Sequence, residues 1–527
     1  MLRIRRNIQA SLGWSYRLLS REQQEVLRSV SLFKGGFFPE AARALVPNSK
    51  LRWILSELNE RGWLFARPVK GQARLFMRDP PSQEYVLAKL QASPDWKPKQ
   101  LAHAQYFSGF LEEQGKSIKT NAQVSALKAI GVEEENILAA MQTIIERIDT
   151  RSDPRDADLL LPFAIHLAAY ADILGRWKDG ISWYSQITNA AEKTDSSRLK
   201  MYALLELARF IARTGRSEES REKLLELKRM AEADGDRELL ANCLNHLGVA
   251  LHNSARLDDA ANAYQESLQI RQEIGDRYGT GMTLSNLGLV RCGQHRYEEG
   301  ERLYQQSLEI AREIGNQYGM ALVLGNMAVL AGQQGREEEV EQLYQESLRA
   351  SRRIGFEYGM ALALNNLGVL SCTQGRYQEA EVLLKESLRT RRRLGGQRAV
   401  ALCLVNLATL YLRTERLGFA QRHLIEALIS AKQMDDPRLV VDLLILSGCL
   451  LAGMERYPNA ALCLAGSQHH AREIQLTIQP MEQEELEEGI AKVTQALPEA
   501  ELAELTSRAE EITLHELLDL ALQAIRQ

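Results

Sequence analysis

No stretch of this 527-residue sequence approaches the run of roughly 20 apolar residues that a membrane-spanning helix requires. The opening residues, MLRIRRNIQASLGW, are basic but hold no apolar core of signal-peptide length. The six cysteines (Cys243, Cys292, Cys372, Cys403, Cys449 and Cys463) are dispersed, without a CxxC pair. They read as small buried hydrophobes of a reducing compartment. The expectation is a cytoplasmic chain with no membrane partner. Catalytic patterns are missing as well: there is no GxSxG, no HExxH and no Cys/His pairing that spacing supports. The nine histidines include the doublet His469-His470, whose sequence neighbours offer no metal-ligand set of suitable spacing. Carboxylates are plentiful, as in EEEVEQ and EQEELEE, but they fall on helical solvent faces. An enzyme would have to be built from dispersed residues. No catalytic residue, metal or cofactor is therefore expected.

What is present is ordinary in bulk and uneven in placement. Hydrophobic residues make up 45% and charged residues 25%, as in a soluble globular protein. Net charge is −4, yet residues 1–90 carry 16 Lys/Arg against 7 Asp/Glu, a balance of +9 that leaves −13 for residues 91–527. Such asymmetry fits an N-terminal module that meets an acidic partner, or two parts of one chain that attract each other.

The dominant feature is a pattern repeated eight times between residues 161 and 466 at a period of forty. Arg176, Arg216, Arg256, Arg296, Arg336, Arg376, Arg416 and Arg456 mark the beat. A leucine-type position and a small residue precede each, as in Leu247-Gly248, Leu287-Gly288 and Leu367-Gly368. Gly180, Ser220, Ala260, Gly300, Val340, Ala380, Ala420 and Ala460 follow, then Tyr or Leu. A fixed period of this length predicts stacked supersecondary units. Each unit splits into two stretches of helical periodicity, as in Leu244, Leu247 and Leu251, then Ala260, Tyr264 and Leu268. This order resembles the tetratricopeptide repeat, lengthened here by six residues beyond the usual 34. The small residues should let the two helices approach. The departures at Gly300 and Val340 predict junctions that are tightened or spread. Gly275, Gly315 and Gly355 suit helix ends, and Tyr278, Tyr318 and Tyr358 are expected between neighbouring repeats. The arginines should close helix ends or pair with Glu298, Glu299, Glu338 or Glu379, contributing roughly 0–1 kcal/mol each.

Ahead of the repeats, residues 1–95 read as four helices closed by two β-like runs, WLFARPV and ARLFMRD, joined at Lys70-Gly71-Gln72. Ser20 is placed as an N-cap, and Gly35-Gly36 end the second helix. Helices with a small hairpin predict a winged helix. SLGWSYRLLSREQQEVLRSVSLFKGGF and ELNERGWLFARPVKGQARLFMRDPPSQEYVLAKL resemble the winged-helix segment of bacterial STAND (NB-ARC-type) signalling ATPases, which include transcription regulators. His103 to Tyr106, Glu134-Glu135-Asn136 and the closing ITLHELLDLALQA are similar to later parts of such proteins. The resemblance implies the C-terminal half of a signal-transduction regulator, with a nucleotide-binding domain supplied in cis or in trans. The phosphate loop itself is missing. The nearest string, Gly109 to Ser117, has five residues between its glycines instead of four and follows a helical segment rather than a strand.

The expected fold class is thus all-α: a right-handed superhelical tetratricopeptide solenoid with an N-terminal winged-helix module. Its divisions are 1–95, a helical adaptor at 96–160 ending in the polar loop TRSDPRDAD, eight repeats at 161–466, and a helical cap at 467–527. His103 is expected to be structural. Binding is expected on the concave face. There Asn286, Asn326, Asn366 and Asn406 stand in one phase with His246, flanked by Asn245, Ser285 and Asn365. Asparagine is a poor residue inside a helix, and a row of amides can hold an extended peptide backbone. The resemblance implies the same, since such asparagines contact peptides in tetratricopeptide proteins. The function expected is a non-enzymatic sensor or scaffold for protein–protein, peptide or small-ligand recognition. The alternative is a DNA-associated transcription factor using the basic winged helix.

Overall fold

The computed structural model describes residues 2–69, 71–151, 153–394, 397–432, 434, 436–478 and 480–527, without the side chains of residues 2–8, 480 and 481. The chain forms two compact units, residues 1–319 and 320–527. Among the described residues no helix is long and apolar enough to cross a membrane.

The first unit opens with α1 (Leu2–Arg17), α2 (Arg21–Val30), α3 (Pro39–Leu45), α4 (Leu51–Glu60), β1 (Leu64–Val69), β2 (Gln72–Met77) and α5 (Pro80–Gln91). Ser20 caps α2 in a reciprocal box with Gln23, which satisfies two orphan amides. The strands pair antiparallel with Phe65 opposite Phe76, and Phe37 adds a bridge to Leu75. Lys70, expected in the hairpin turn, lies outside the described residues. Gly36 has φ 87° and no room for a side chain, since a Cβ there would lie 2.6 Å from the Phe76 ring.

Two long helices follow, α6 (Trp96–Ile118) and α7 (Gln123–Arg151). The glycine-rich string from Gly109 to Ser117 is interior to α6, so its amides serve the helix ladder. Asn136 on α7 fastens the N-terminal module: its Oδ1 accepts from Lys34 N at 2.6 Å and its Nδ2 donates to Gly36 O at 2.9 Å. Beside it Arg74 and Glu133, both buried, pair at 2.6 Å. His103 packs at a tilt against the rings of Phe33 and Phe107, and burial, opposed by a bond to Asn136, lowers its pKa to about 4. The polar loop expected at TRSDPRDAD is not formed. Helix α7 runs to Arg151, and Pro154 opens α8 (Pro154–Ile173) under an Asp153 cap; Ser152 lies outside the described residues. Proline suits a first helical position and aspartate a cap, so the polar string marks a helix start.

Helix pairs then stack: α8 with α9 (Trp177–Ala191), α10 (Ser197–Arg213) with α11 (Ser217–Asp234), α12 (Arg237–Asn253) with α13 (Leu257–Glu273), and α14 (Arg277–Gly293) with α15 (Tyr297–Glu313). The unit ends in the first turn of α16 (Gln317–Gln333). The second unit continues with α17 (Glu337–Ile354), α18 (Glu357–Thr373), α19 (Tyr377–Leu394), α20 (Gln397–Arg413), α21 (Leu417–Ala431), α22 (Pro437–Gly453) and α23 (Tyr457–Glu473). It closes with α24 (Pro480–Ala496), α25 (Glu499–Glu511) and α26 (Leu514–Arg526).

The turn inside each pair explains the arginine beat. Residues 175, 215, 255, 295, 335, 375, 415 and 455 all take positive φ, four as glycine and four as Ala255, His295, Glu415 and Glu455. The next residue is the arginine. Its amide reaches back five residues, as Arg376 N does to Ser371 O at 2.8 Å, closing a Schellman-type end. In the first six pairs its side chain meets a carboxylate three residues on, such as Asp259, Glu299 or Glu379; Arg416 instead reaches Glu381. The glycines of the first helices are sites of close approach. A Cβ would lie 2.6 Å from Tyr264 at Gly248, 2.8 Å from Tyr304 at Gly288 and 2.7 Å from Leu384 at Gly368. Val340 is offset by Gly332, whose Cβ position is an ordinary 3.8 Å away. Gly300 leaves only 3.0 Å to Gly288 O, so that junction is tightened. Serines tie each second helix back to its first: Ser267 to Ala241 O, Ser307 to Gly281 O, Ser347 to Ala321 O and Ser387 to Ala361 O, at 2.6–2.7 Å.

Candidate functional site: the amide rungs and a buried charge cluster

The six asparagines expected to bind fall on the first helices, and four of them pair across adjacent repeats. In the first unit, Asn245 is buried on α12. Its Oδ1 accepts from Asn286 Nδ2 on α14 and from Thr283 Oγ1, each at 3.2 Å. In the second unit, buried Asn365 on α18 accepts from Asn406 Nδ2 on α20 at 3.0 Å and from Cys403 Sγ at 3.2 Å. Its own Nδ2 donates to Asn366 Oδ1 at 3.2 Å. Asn245 and Asn365 are thus internal posts, while Asn286, Asn366 and Asn406 are half-buried and held by them or beside them. Asn326 is half-buried on α16.

A second constellation has no periodic signature in the sequence. In the first unit Asp172 on α8, buried at 1% exposure, receives Arg213 Nε at 3.1 Å, the Arg209 guanidinium, and the hydroxyl of Tyr318 at 3.0 Å. Arg209 also pairs with Glu206 at 3.1 Å, and Arg213 reaches the Tyr318 hydroxyl at 3.3 Å. Burial alone would raise the pKa of Asp172, but the two guanidiniums overcome it and hold the carboxyl well below the usual range. Glu206 is pushed up by burial despite Arg209. Burial, and then Arg209 and Arg213, push the pKa of His246 well below its ordinary value. Tyr318, expected between neighbouring repeats, has a hydroxyl that reaches beyond the adjacent helix pair. It crosses to α8, because a buried carboxylate with two cations offers its hydroxyl a stronger acceptor than an apolar junction does.

The turn between α6 and α7 closes on the same place. Gln123 is fully buried; its Oε1 accepts from Tyr318 N at 3.1 Å and its Nε2 donates to Asn316 Oδ1 at 3.2 Å. Lys119 pairs with Glu238 at 3.4 Å. A Cβ at Gly315 would lie 2.8 Å from Asn121 Cα, so this contact depends on glycine. The signals available beforehand were weak: a lone Asp, two arginines one helical turn apart, and one tyrosine of a repeated set.

The comparisons with known proteins agree with this architecture. The tetratricopeptide repeat family model matches residues 199–273, 279–353 and 359–433, and the chain carries tetratricopeptide repeats there. No curated protein sequence matches the chain. Among solved structures it is similar to a Signal Transduction ATPase with Numerous Domains (STAND) protein with a tetratricopeptide repeat sensor from Pyrococcus horikoshii. That likeness has 16% identity and a TM-score of 0.50, over 94% of this chain and 66% of that one. The chain thus spans just under two thirds of that structure. A Rap protein complexed with competence and sporulation factor aligns at 14% identity and a TM-score of 0.48, over 76% of this chain and 99% of its own. NprR in complex with its cognate peptide NprX aligns at 14% and 0.43, over 60% and 87%.

Proposed function

We propose that the chain is a non-enzymatic regulatory sensor whose first helices hold a peptide or protein segment, through Asn326, Asn366 and Asn406 in the second unit and through Asn286 in the first. The observation that carries this reading is the amide rung. Asn365 engages one N–H of Asn406 and orients its amide, which leaves the carbonyl oxygen and second N–H for the backbone of an extended ligand. Asn245 does the same for Asn286. Amides fixed before binding lose less rotamer entropy on contact, which favours affinity. A fold shared with a STAND protein that has a tetratricopeptide sensor supports placing such a sensor in a STAND-type signalling regulator, with the nucleotide switch in cis or in trans. Peptides selected from a random library on the full chain provide the probe. N326A and N366A should each weaken binding of a fluorescein-labelled selected peptide at least tenfold with unchanged helicity. Unaltered anisotropy in both would end the assignment.

A second reading rests on the N-terminal module. The order helix, bridging strand, helix, helix and hairpin in residues 21–77 supports a winged helix, and its +9 charge supports a DNA-associated regulator. Binding of a labelled duplex by the full chain, with a log–log salt slope of several units, would favour it. Absent or salt-independent binding would remove it.

A further inference from the structure

The doublet His469-His470 near the end of α23, whose sequence neighbours offered no ligand set, gains a third group in the structure. Glu473 lies on the same helix face. One ligand atom from each of His469, His470 and Glu473 falls within 4.8 Å of the others. His470 is buried and Glu473 exposed. The hydrogen bonds around His470 are the informative part. Its Nε2 lies 2.9 Å from the carbonyl oxygen of Ile512, in the turn between α25 and α26. A carbonyl can only accept, so Nε2 carries the proton. Its Nδ1 lies 3.0 Å from Glu473 Oε2. Nδ1 thus faces a carboxylate oxygen, so a cation lies between the two, either a ring proton or a metal ion held with His469.

We infer that His469, His470 and Glu473 form a binding site for a divalent transition-metal ion of the zinc class. The arrangement around His470 is the one metal-bound histidines adopt: one nitrogen toward the ligand set, the other N–H given to a backbone carbonyl that fixes the tautomer. Two imidazoles and one carboxylate are a nitrogen/oxygen set that Zn²⁺ and its neighbours accept, with a remaining position for water. Glu473 follows His469 by four residues, so the two stand one turn apart on the helix surface. Zinc–ligand bonds of about 2.0–2.2 Å require the three ligand atoms, now within 4.8 Å of one another, to rearrange around a common point. Exposed Glu473 and half-buried His469 have the freedom to close, while His470 stays seated on Ile512. The site would act as a strap. Metal at Nδ1 makes the Nε2–H a stronger donor and holds the α25–α26 turn to α23, so the last two helices answer to metal supply. This role is independent of the peptide-binding reading.

The test uses the metal-stripped full chain titrated with Co²⁺, whose visible d–d absorption reports coordination, followed by displacement with Zn²⁺. The wild type should saturate at one equivalent, and H469A and E473A, which change half-buried and exposed positions, should bind at least tenfold more weakly. Zn²⁺ should also slow amide exchange over residues 512–526 in the wild type and in neither variant. Absence of a saturable band would overturn the proposal. So would equal binding by H469A and E473A, which leaves a proton rather than a metal between His470 and Glu473.

Discussion

Tyr318 donates its hydroxyl to Asp172 at 3.0 Å across 146 residues of sequence, joining the first turn of α16 to the end of α8. Asp172 is a partner of both half-buried Arg209 and exposed Arg213, so removing it breaks several charged bonds, whereas removing the tyrosine hydroxyl deletes one. D172A should cost roughly 1.5–3 kcal/mol and Y318F about 1 kcal/mol, read from urea denaturation. The double variant should be less destabilised than the sum, by about 0.5–3 kcal/mol. Additive losses would mean the two do not act together.

Glycines on the helices separate into two kinds. G368A places a methyl 2.7 Å from Leu384, whereas a Cβ at Gly418 or Gly109 meets nothing within 4 Å. G368A should lose about 1–3 kcal/mol through overpacking. G418A and G109A should gain up to about 1 kcal/mol from helix propensity. Thermal denaturation of the three variants checks the contrast, and a G368A as stable as wild type would deny the close approach.

The intra-pair turns supply an independent case. Ala255, His295, Glu415 and Glu455 hold positive φ where other repeats use glycine. Converting each to glycine should stabilise the chain by about 1 kcal/mol, because the left-handed conformation costs a side-chain-bearing residue roughly that much. The reverse change, G215A, should destabilise although its Cβ position is open. Four stabilities unchanged or lowered would contradict the turn assignment.

Asp442 on α22 provides the pH dependence. Burial, and then Glu482 on α24, raise its pKa to about 7 against the pull of Arg438 and Arg398. Its folded value exceeds the unfolded value of about 3.9. Stability should therefore be full below pH 4, fall as pH rises toward 7, and level off above. The fall should be a few kcal/mol at most. D442N should remove most of it, so its melting temperature at pH 8 should exceed that of wild type. A wild type equally stable at pH 5 and pH 8 would refute this.

The architecture was legible in sequence because a repeat prints the same constraint many times. Gly248, Gly288 and Gly368 each recorded one close contact, and eight arginines recorded one turn. Ser20 was readable because capping is local, but α2 ends at Val30 with Ser31 as its C-cap, ahead of the glycines at 35 and 36 that were expected to end it. What could not be read was contact between distant parts. Polar residues at 150–158 suggested a loop, although Asp153 and Pro154 are a helix start. Tyr318 looked like its repeat mates, and nothing in its own stretch points to Asp172, 146 residues away. The asparagines showed their phase but not their division of labour, in which Asn245 and Asn365 orient the amides of the next repeat.

Hydrogen–deuterium exchange of the full chain with and without a library-selected peptide tests the central claim most directly. The account predicts slowed exchange concentrated in α14, α16, α18 and α20, the helices that carry Asn286, Asn326, Asn366 and Asn406, and lost in the N326A/N366A double variant. Protection confined to residues 2–91, or to the second helices of the pairs, would contradict it.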